Sequence, residues 1–170
     1  PKIPSEGETI LGSEYNIGPG GKGCNQAIAI SRLGGKVALI SKLGKDDYGK
    51  LAMETLKKNK ISTDSIIVEE KLQTGVAGIM LDKNSGKNAI NVITGAPSTF
   101  VIEDLKETIN IIKNSKIFLT QLEIPKKVTL NCLKVAKENN ILTILNPAPA
   151  SKLENEFFSL IDFFTPNETE

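Results

Sequence analysis

Residues 116–147 read KIFLTQLEIPKKVTLNCLKVAKENNILTILNP, and their pattern decides the fold. Lys116–Thr120 is a short apolar run of strand type that ends in Gln121, Leu122 and Glu123. Lys126–Glu138 carries Val128, Cys132, Val135 and Ala136 at helical spacing, which predicts an amphipathic helix. Ile141–Leu145 is a second apolar run, closed by Asn146 and Pro147. Strand, helix and strand in succession make a parallel α/β sheet.

The same alternation extends outward. A short helix near Glu154–Leu160 leads to a strand at Asp162–Thr165, followed by Pro166 and Asn167. Upstream, Ile102, Leu105, Ile109 and Ile112 mark a helix, and Val37–Ile40 suits a buried parallel strand. Asp46 and Asp47 offer an N-cap for a helix running to about Lys58. Residues 24–33 predict another helix, stopped by Gly34 and Gly35. Two segments break the pattern. Ser65–Glu69, Thr74–Asp82 and Lys87–Thr94 are strand-like, and the last two flank the turn Lys83-Asn84-Ser85-Gly86. Residues 7–18 suggest two short strands turning at Gly12 and Ser13. The expected architecture is a parallel sheet with flanking helices plus a small antiparallel β portion.

Composition limits what such a domain does. The 170 residues carry 21 Lys+Arg against 20 Asp+Glu, a net charge of +1. That balance offers no clustered basic surface, so nucleic acid is not an expected partner. The chain is 39% hydrophobic and 24% charged, as a globular domain is. No apolar run approaches the length of a spanning helix, so no membrane role is expected. Cys24 and Cys132 lie far apart, and histidine is absent. Reduced thiols in the cytoplasm are the simplest reading, and a zinc site is not expected. The chain starts at Pro1 and stops at Glu170 just after a strand-like run, so the domain is expected to be incomplete at both ends.

Ligands of open α/β sheets bind beyond the carboxyl ends of the strands. Parallel strands bring Glu123, Asn146, Asn167 and Glu170 to one edge, where carboxylates and amides suit hydroxyl groups and a hydrated Mg²⁺. The second feature is Gly18-Pro19-Gly20-Gly21-Lys22-Gly23, which opens a helix. Its backbone admits a close ligand, its free N–H groups attract anionic or hydroxylic groups, and Asn25 follows. The order is not that of a P-loop. Gly18, Gly20 and Gly23 fit a dinucleotide fingerprint literally, but the preceding residues 13–17 are too polar for the required buried strand. Cys24 reads as a packing residue, Asp46 with Asp47 as a helix cap, and Lys57, Lys58 and Lys60 as a solvated helix end. Thr74 and Gly75 are open between a strand start and a hydroxyl offered to a ligand.

Together these motifs resemble the PfkB-type carbohydrate kinases in their ribokinase form. Gly20 to Ala27 with Gly34 and Gly44 is similar to the first family signature. Gln121–Pro125, Asn146–Ala150 and Thr165–Glu170 resemble further motifs in the family's order, and Pro4–Thr9 resembles the entry to its lid strands. The resemblance runs from end to end and implies one partial domain over residues 1–170, with lid strands at about 7–18 and 65–94. It implies that Gly21, Lys22 and Asn25 contact sugar hydroxyls, with the Gly20, Gly23 and Cys24 backbone around them. Glu123 would bind a hydroxyl from the opposite wall, Asn167 would lie near nucleotide phosphates, and Glu170 would orient Mg²⁺ through water. The implied reaction transfers the ATP γ-phosphoryl group to the 5-hydroxyl of D-ribose, in a homodimer paired through the lid. The family's first strand, its Gly-Ala-Gly-Asp motif with the catalytic base, and its adenine and monovalent-cation (K⁺) sites find no counterpart in these residues. No catalytic residue is therefore expected in this chain, and the chain alone is expected to be inactive. The alternatives are a related kinase of another sugar or nucleoside, or a non-catalytic half-kinase that binds sugar or dimerises.

Overall fold

The computed structural model describes residues 2–170. In order, the chain forms α1 (Lys22–Arg32), β1 (Ser41–Gly44), α2 (Asp47–Lys58), β2 (Ile66–Glu69), β3 (Val76–Leu81) and β4 (Asn88–Ile93). Two 3-10 turns follow, at Ala96–Thr99 and Ile102–Leu105. Then come α3 (Ile109–Lys113), β5 (Ile117–Thr120), α4 (Lys126–Glu138), β6 (Leu142–Leu145), α5 (Asn155–Phe158) and β7 (Phe163–Phe164).

Helix α4 is the centre of the packing because its apolar positions cover more than one side. Val128, Cys132 and Ala136 join Phe100, Leu105, Ile112 and Ile141 in one buried cluster. Leu133 joins Leu122, Leu145 and Phe157 in a second, and Phe118 of β5 touches both. A third cluster, built on Ala27, Ile28, Leu56, Ile61 and Ile66, sits under α1 and α2. Fully burying a side chain such as Leu133 or Leu145 stabilises the fold by roughly 1.5–3 kcal/mol.

Strands β5, β6 and β7 form a parallel sheet in that order, with Ile117 opposite Leu142 and Ile144 opposite Phe163. Strands β1 and β2 form a second parallel pair, Ser41 opposite Ile66. Ile40 and Ile67 pack on the same cluster as Phe118, so both parallel pieces lean on one helical layer. Strands β3 and β4 make the expected antiparallel hairpin, Val76 opposite Ile93. Asp46 caps α2 as anticipated, its carboxylate accepting the Gly49 N–H at 2.8 Å.

Four expectations need correction. Residues 7–18 form no strand, because their backbone finds no ladder partner among the described residues; side-chain pairs such as Lys2–Glu8 and Lys83–Glu14 tether the segment instead. Val37–Ile40 is not a strand either, since β1 begins at Ser41, although Val37, Leu39 and Ile40 still pack inward. Residues 65–69 belong to the parallel pair with β1 rather than to a lid. The helix expected over Ile102–Ile112 is a 3-10 turn followed by α3. Asp104 fixes that turn by accepting the Val101 N–H at 2.9 Å while its carboxylate also holds the buried Lys42 at 3.1 Å.

Candidate active site

Helix α1 starts at Lys22, directly after Gly21, whose φ of 85° lies in the left-handed region. The first-turn N–H groups of a helix need acceptors, and Gly21 has no side chain to give one. The acceptor comes from the other end of the sequence. Glu123, just past β5, takes the Lys22 backbone N–H on Oε2 at 2.7 Å. Glu123 is placed by its neighbours. Leu122 is buried and donates its N–H to the Ala148 carbonyl at 2.9 Å, and Pro125 sets the start of α4.

The docking of loop on strand end is close elsewhere too. A Cβ on Gly23 would sit 3.3 Å from Gln121 Oε1 and 3.5 Å from Leu39 Cδ1. The Gln121 amide donates to Gln26 Oε1, tying β5's exit to α1. Gly20, Gly21, Asn25 and Glu123 are exposed, while Lys22, Gly23 and Cys24 are half-buried. This junction, or notch, is thus a surface contact with a backbone donor on one side and a carboxylate on the other. Burial pushes the Cys24 thiol up, and Cys24 packs against the cluster under α1. That suits a filler and not a nucleophile.

The ends of β6 and β7 complete the edge. Asn146 donates its N–H to the Thr120 carbonyl at 3.0 Å and its side-chain amide to the Thr165 carbonyl at 2.6 Å, bracing three strand ends. Asn167 Oδ1 accepts from the Thr169 N–H at 2.9 Å and the Glu170 N–H at 3.0 Å. Its own N–H and side-chain amide donate to the Glu170 carboxylate at 3.2 and 3.1 Å. The structure therefore forms two pairs, Lys22 with Glu123 and Asn167 with Glu170. Neighbouring strands lie about 4.8 Å apart, so the exits of β5 and β7 are roughly 10 Å apart on one edge.

Among the described residues no group of three or more His, Cys, Asp or Glu is arranged to hold a metal ion. Both oxygens of Asp46 accept hydrogen bonds, from Gly49 and from Thr74. Thr74 turns its hydroxyl to Asp46 and Gly44, not outward to a ligand. The Gln26–Gln121 and Asp46–Thr74 pairs were not foreseen. The segment ahead of the glycine loop is not a strand, so the context of a dinucleotide fingerprint is lacking.

The sequence model of the pfkB family of carbohydrate kinases matches residues 1–170. The chain belongs to this family. Among its pfkB relatives, a ribokinase of Haemophilus influenzae is 41% identical over 170 residues, covering 100% of this chain and 55% of the relative. A ribokinase of Mus musculus is 39% identical, covering 99% of this chain and 52% of the relative. A solved ribokinase from Thermotoga maritima superposes with a TM-score of 0.86 at 36% identity, over 99% of this chain and 54% of that one. The Arabidopsis thaliana ribokinase complexed with ribose and ATP does so with a TM-score of 0.84 at 31% identity, over 99% of this chain and 55% of that one. The chain spans about half the length of the curated relatives it matches. The mixed α/β fold with parallel sheets and a small antiparallel hairpin is the one shared with these structures. No described helix is long and apolar enough to cross a membrane.

Proposed function

We propose that this chain is the sugar-holding portion of an ATP-dependent ribokinase, which in the complete protein converts D-ribose to ribose 5-phosphate. The observation that carries this reading is the 2.7 Å contact between the Lys22 N–H and the Glu123 carboxylate in an exposed notch. A hydroxyl both donates and accepts. One sugar hydroxyl entering the notch takes the Lys22 N–H and donates to Glu123, replacing their direct bond without leaving either group unpaired. Gly21 allows close approach, and the Asn25 amide supplies a second donor and acceptor beside it. Gly20, Gly23 and Cys24 contribute backbone.

Asn167 and Glu170 serve the nucleotide side, Asn167 near the phosphates and Glu170 towards Mg²⁺ through water. The donor set fits a magnesium ion, which keeps several waters and needs only one or two carboxylates beside nucleotide phosphates. When bound, the ion neutralises charge on the phosphates. In the transfer, a bond forms from the ribose 5-oxygen to the γ-phosphorus, the bond to the ADP oxygen breaks, and the hydroxyl proton passes to a base. No residue described above is that base. Base, anion hole, adenine pocket and a monovalent-cation (K⁺) site are assigned to the rest of the protein, so the 170-residue chain alone is inactive on this reading. Its two free cysteines favour a cytoplasmic location.

A second copy of the chain is the proposed partner of the hairpin. Ile79 pairs with Ile90 and Ala77 with Val92, so these residues share one face with Leu81. Ile79, Leu81, Ile90 and Val92 are 62%, 56%, 56% and 61% exposed. Such a contiguous apolar face marks an interaction surface.

The test is turnover. The complete protein is assayed with ATP and ribose, 2-deoxyribose, fructose, 2-keto-3-deoxygluconate or adenosine. Ribose is expected to give the highest kcat/KM. Preference for 2-deoxyribose would favour a related kinase of another sugar, since a deoxyribokinase of Salmonella typhi is 34% identical over 170 residues. Turnover by the isolated 170-residue chain would overturn the division of labour.

A further inference from the structure

We infer that Asp46 and Thr74 are positioning residues for the sugar site, forming a rigid joint that fixes the direction in which the β3–β4 hairpin leaves the sheet. Three segments cross at this point: the turn from β1 into α2, the entry to β3 and the exit from β4. Asp46 Oδ1 accepts from the Gly49 N–H at 2.8 Å and from the Thr74 hydroxyl at 2.7 Å. Its Oδ2 accepts the Thr74 N–H at 2.8 Å. The Thr74 hydroxyl has one proton, given to Asp46, and it accepts the Gly44 N–H at 2.9 Å. The Ala96 N–H, at the far side of the hairpin, donates to the Gln73 carbonyl at 2.8 Å. One carboxylate and one hydroxyl thus bind the hairpin's entry arm to β1 and α2, and a backbone hydrogen bond ties the exit arm to that entry arm.

The crossing leaves no room for side chains. A Cβ on Gly44 would lie 2.3 Å from the Leu72 carbonyl oxygen, and one on Gly49 would lie 2.1 Å from that of Gly44. Gly95 has a φ of 58°, and its Cβ would meet the Gln73 carbonyl oxygen at 2.5 Å. Close-packed backbone of this kind moves as a unit. Beyond the joint the hairpin is poorly covered on either face. Among the described residues its tip is tied to the rest of the chain by Lys83 to Glu14, at 2.7 Å, in the segment that leads into the glycine loop. An exposed pair of this sort holds weakly. The base therefore sets the direction of the hairpin, whose tip reaches, through Lys83 and Glu14, the segment that leads into Gly21 and Lys22.

The inference rests on the proposed sugar site, and hydrogen exchange separates the two. Exchange of the 76–93 amides is measured in the complete protein with and without ribose, together with kcat and KM. Thr74→Val is expected to speed hairpin exchange about tenfold, as the loss of buried hydrogen bonds does. It is expected to raise the ribose KM about tenfold while kcat changes less than about twofold. Thr74→Ser restores both. Asp46→Ser keeps an acceptor for the Gly49 N–H but loses the second oxygen, and it is expected to behave as Thr74→Val with α2 intact. Unchanged hairpin exchange in Thr74→Val overturns the joint. Faster exchange with an unchanged KM overturns the positioning role. If the wild type shows neither turnover nor ribose protection, the kinase reading fails, and the hairpin exchange rates alone decide for or against the joint.

Discussion

Glu123 does two jobs on this reading, and a pair of substitutions separates them. Gly21 gives α1 no side-chain cap, and the Glu123 carboxylate reaches Lys22 N at 2.7 Å in its place. Losing an N-cap acceptor typically costs about 1 kcal/mol. Glu123 is exposed, so water takes over part of the bond and the lower half of that range applies. Glu123→Ala is therefore expected to lower the unfolding free energy by about 0.5–1 kcal/mol. The effect on ligand is larger. A hydrogen bond to a charged group contributes roughly 1.5–3 kcal/mol, which corresponds to about a ten- to hundredfold loss in ribose affinity.

Glu123→Gln keeps an oxygen for the Lys22 N–H but removes the charge. Stability is expected to stay near that of the wild type, with an affinity between wild type and alanine. Urea unfolding reads the first quantity and isothermal titration with ribose the second, both on the complete protein. If Glu123→Ala is destabilised while ribose binds within about twofold of the wild type, the carboxylate is a helix cap only. The notch then has no claim on the sugar.

Three further outcomes test the frame around the site. The Asp162 carboxyl is held down at about 2, first by Lys137 and then by the Thr143 backbone N–H, against an ordinary value of 3.8. A depressed carboxylate contributes stability that is present above its unfolded pKa and lost as pH falls through the folded one; Asp162→Asn should therefore flatten the acid destabilisation between about pH 4 and 2, read by urea midpoints. Gly49→Ala forces a Cβ to within 2.1 Å of the Gly44 carbonyl oxygen and is expected to cost about 1–3 kcal/mol by chemical denaturation. Ile79→Glu with Val92→Glu puts like charges on the exposed hairpin face and is expected to halve the mass of the complete protein seen by light scattering; an unchanged mass would overturn the proposed pairing through this face.

What was legible in the sequence follows the range of each interaction. Helix α4 matches its expected span because its apolar period and its preceding Pro125 are local signals. Strands β5 and β6 fall within a residue of theirs for the same reason. Ile102, Leu105, Ile109 and Ile112 all pack on one cluster, yet a 3-10 turn and a short helix satisfy that spacing as well as the one long helix expected from it. Capping by Asp104 decided between them. Strand propensity at 66–69 was readable, but its partner was not, because pairing with β1 is a tertiary choice. The Lys22–Glu123 contact spans 101 positions; the rule that parallel strands share a carboxyl edge groups Glu123 with Asn146, Asn167 and Glu170, and only the family resemblance sets it opposite Lys22. No such rule points to Gln26 with Gln121, or to Thr74 with Asp46, whose side chains meet across elements without any period.

That edge also explains why the two proposed ligand pairs can be built independently. Glu123 hangs from β5, and Asn167 with Glu170 hang from β7, with β6 between them. The separation of the pairs is set by backbone hydrogen bonds, such as those of Asn146 to Thr120 and of Thr165 to Leu145. Changing a side chain in either pair is therefore expected to alter affinity for one ligand and to leave this spacing alone. Alignment of a sugar with a phosphoryl donor is where such a reaction gains most of its rate. On the proposed reading that alignment is a property of the sheet, and the hairpin joint at Asp46 and Thr74 acts only on how tightly the sugar is held. Substitutions at the joint should therefore trade against those in the notch additively in ribose binding. Substitutions that shift β6, such as a disrupted Thr143–Asp162 bond at 2.8 Å, should couple to both pairs at once.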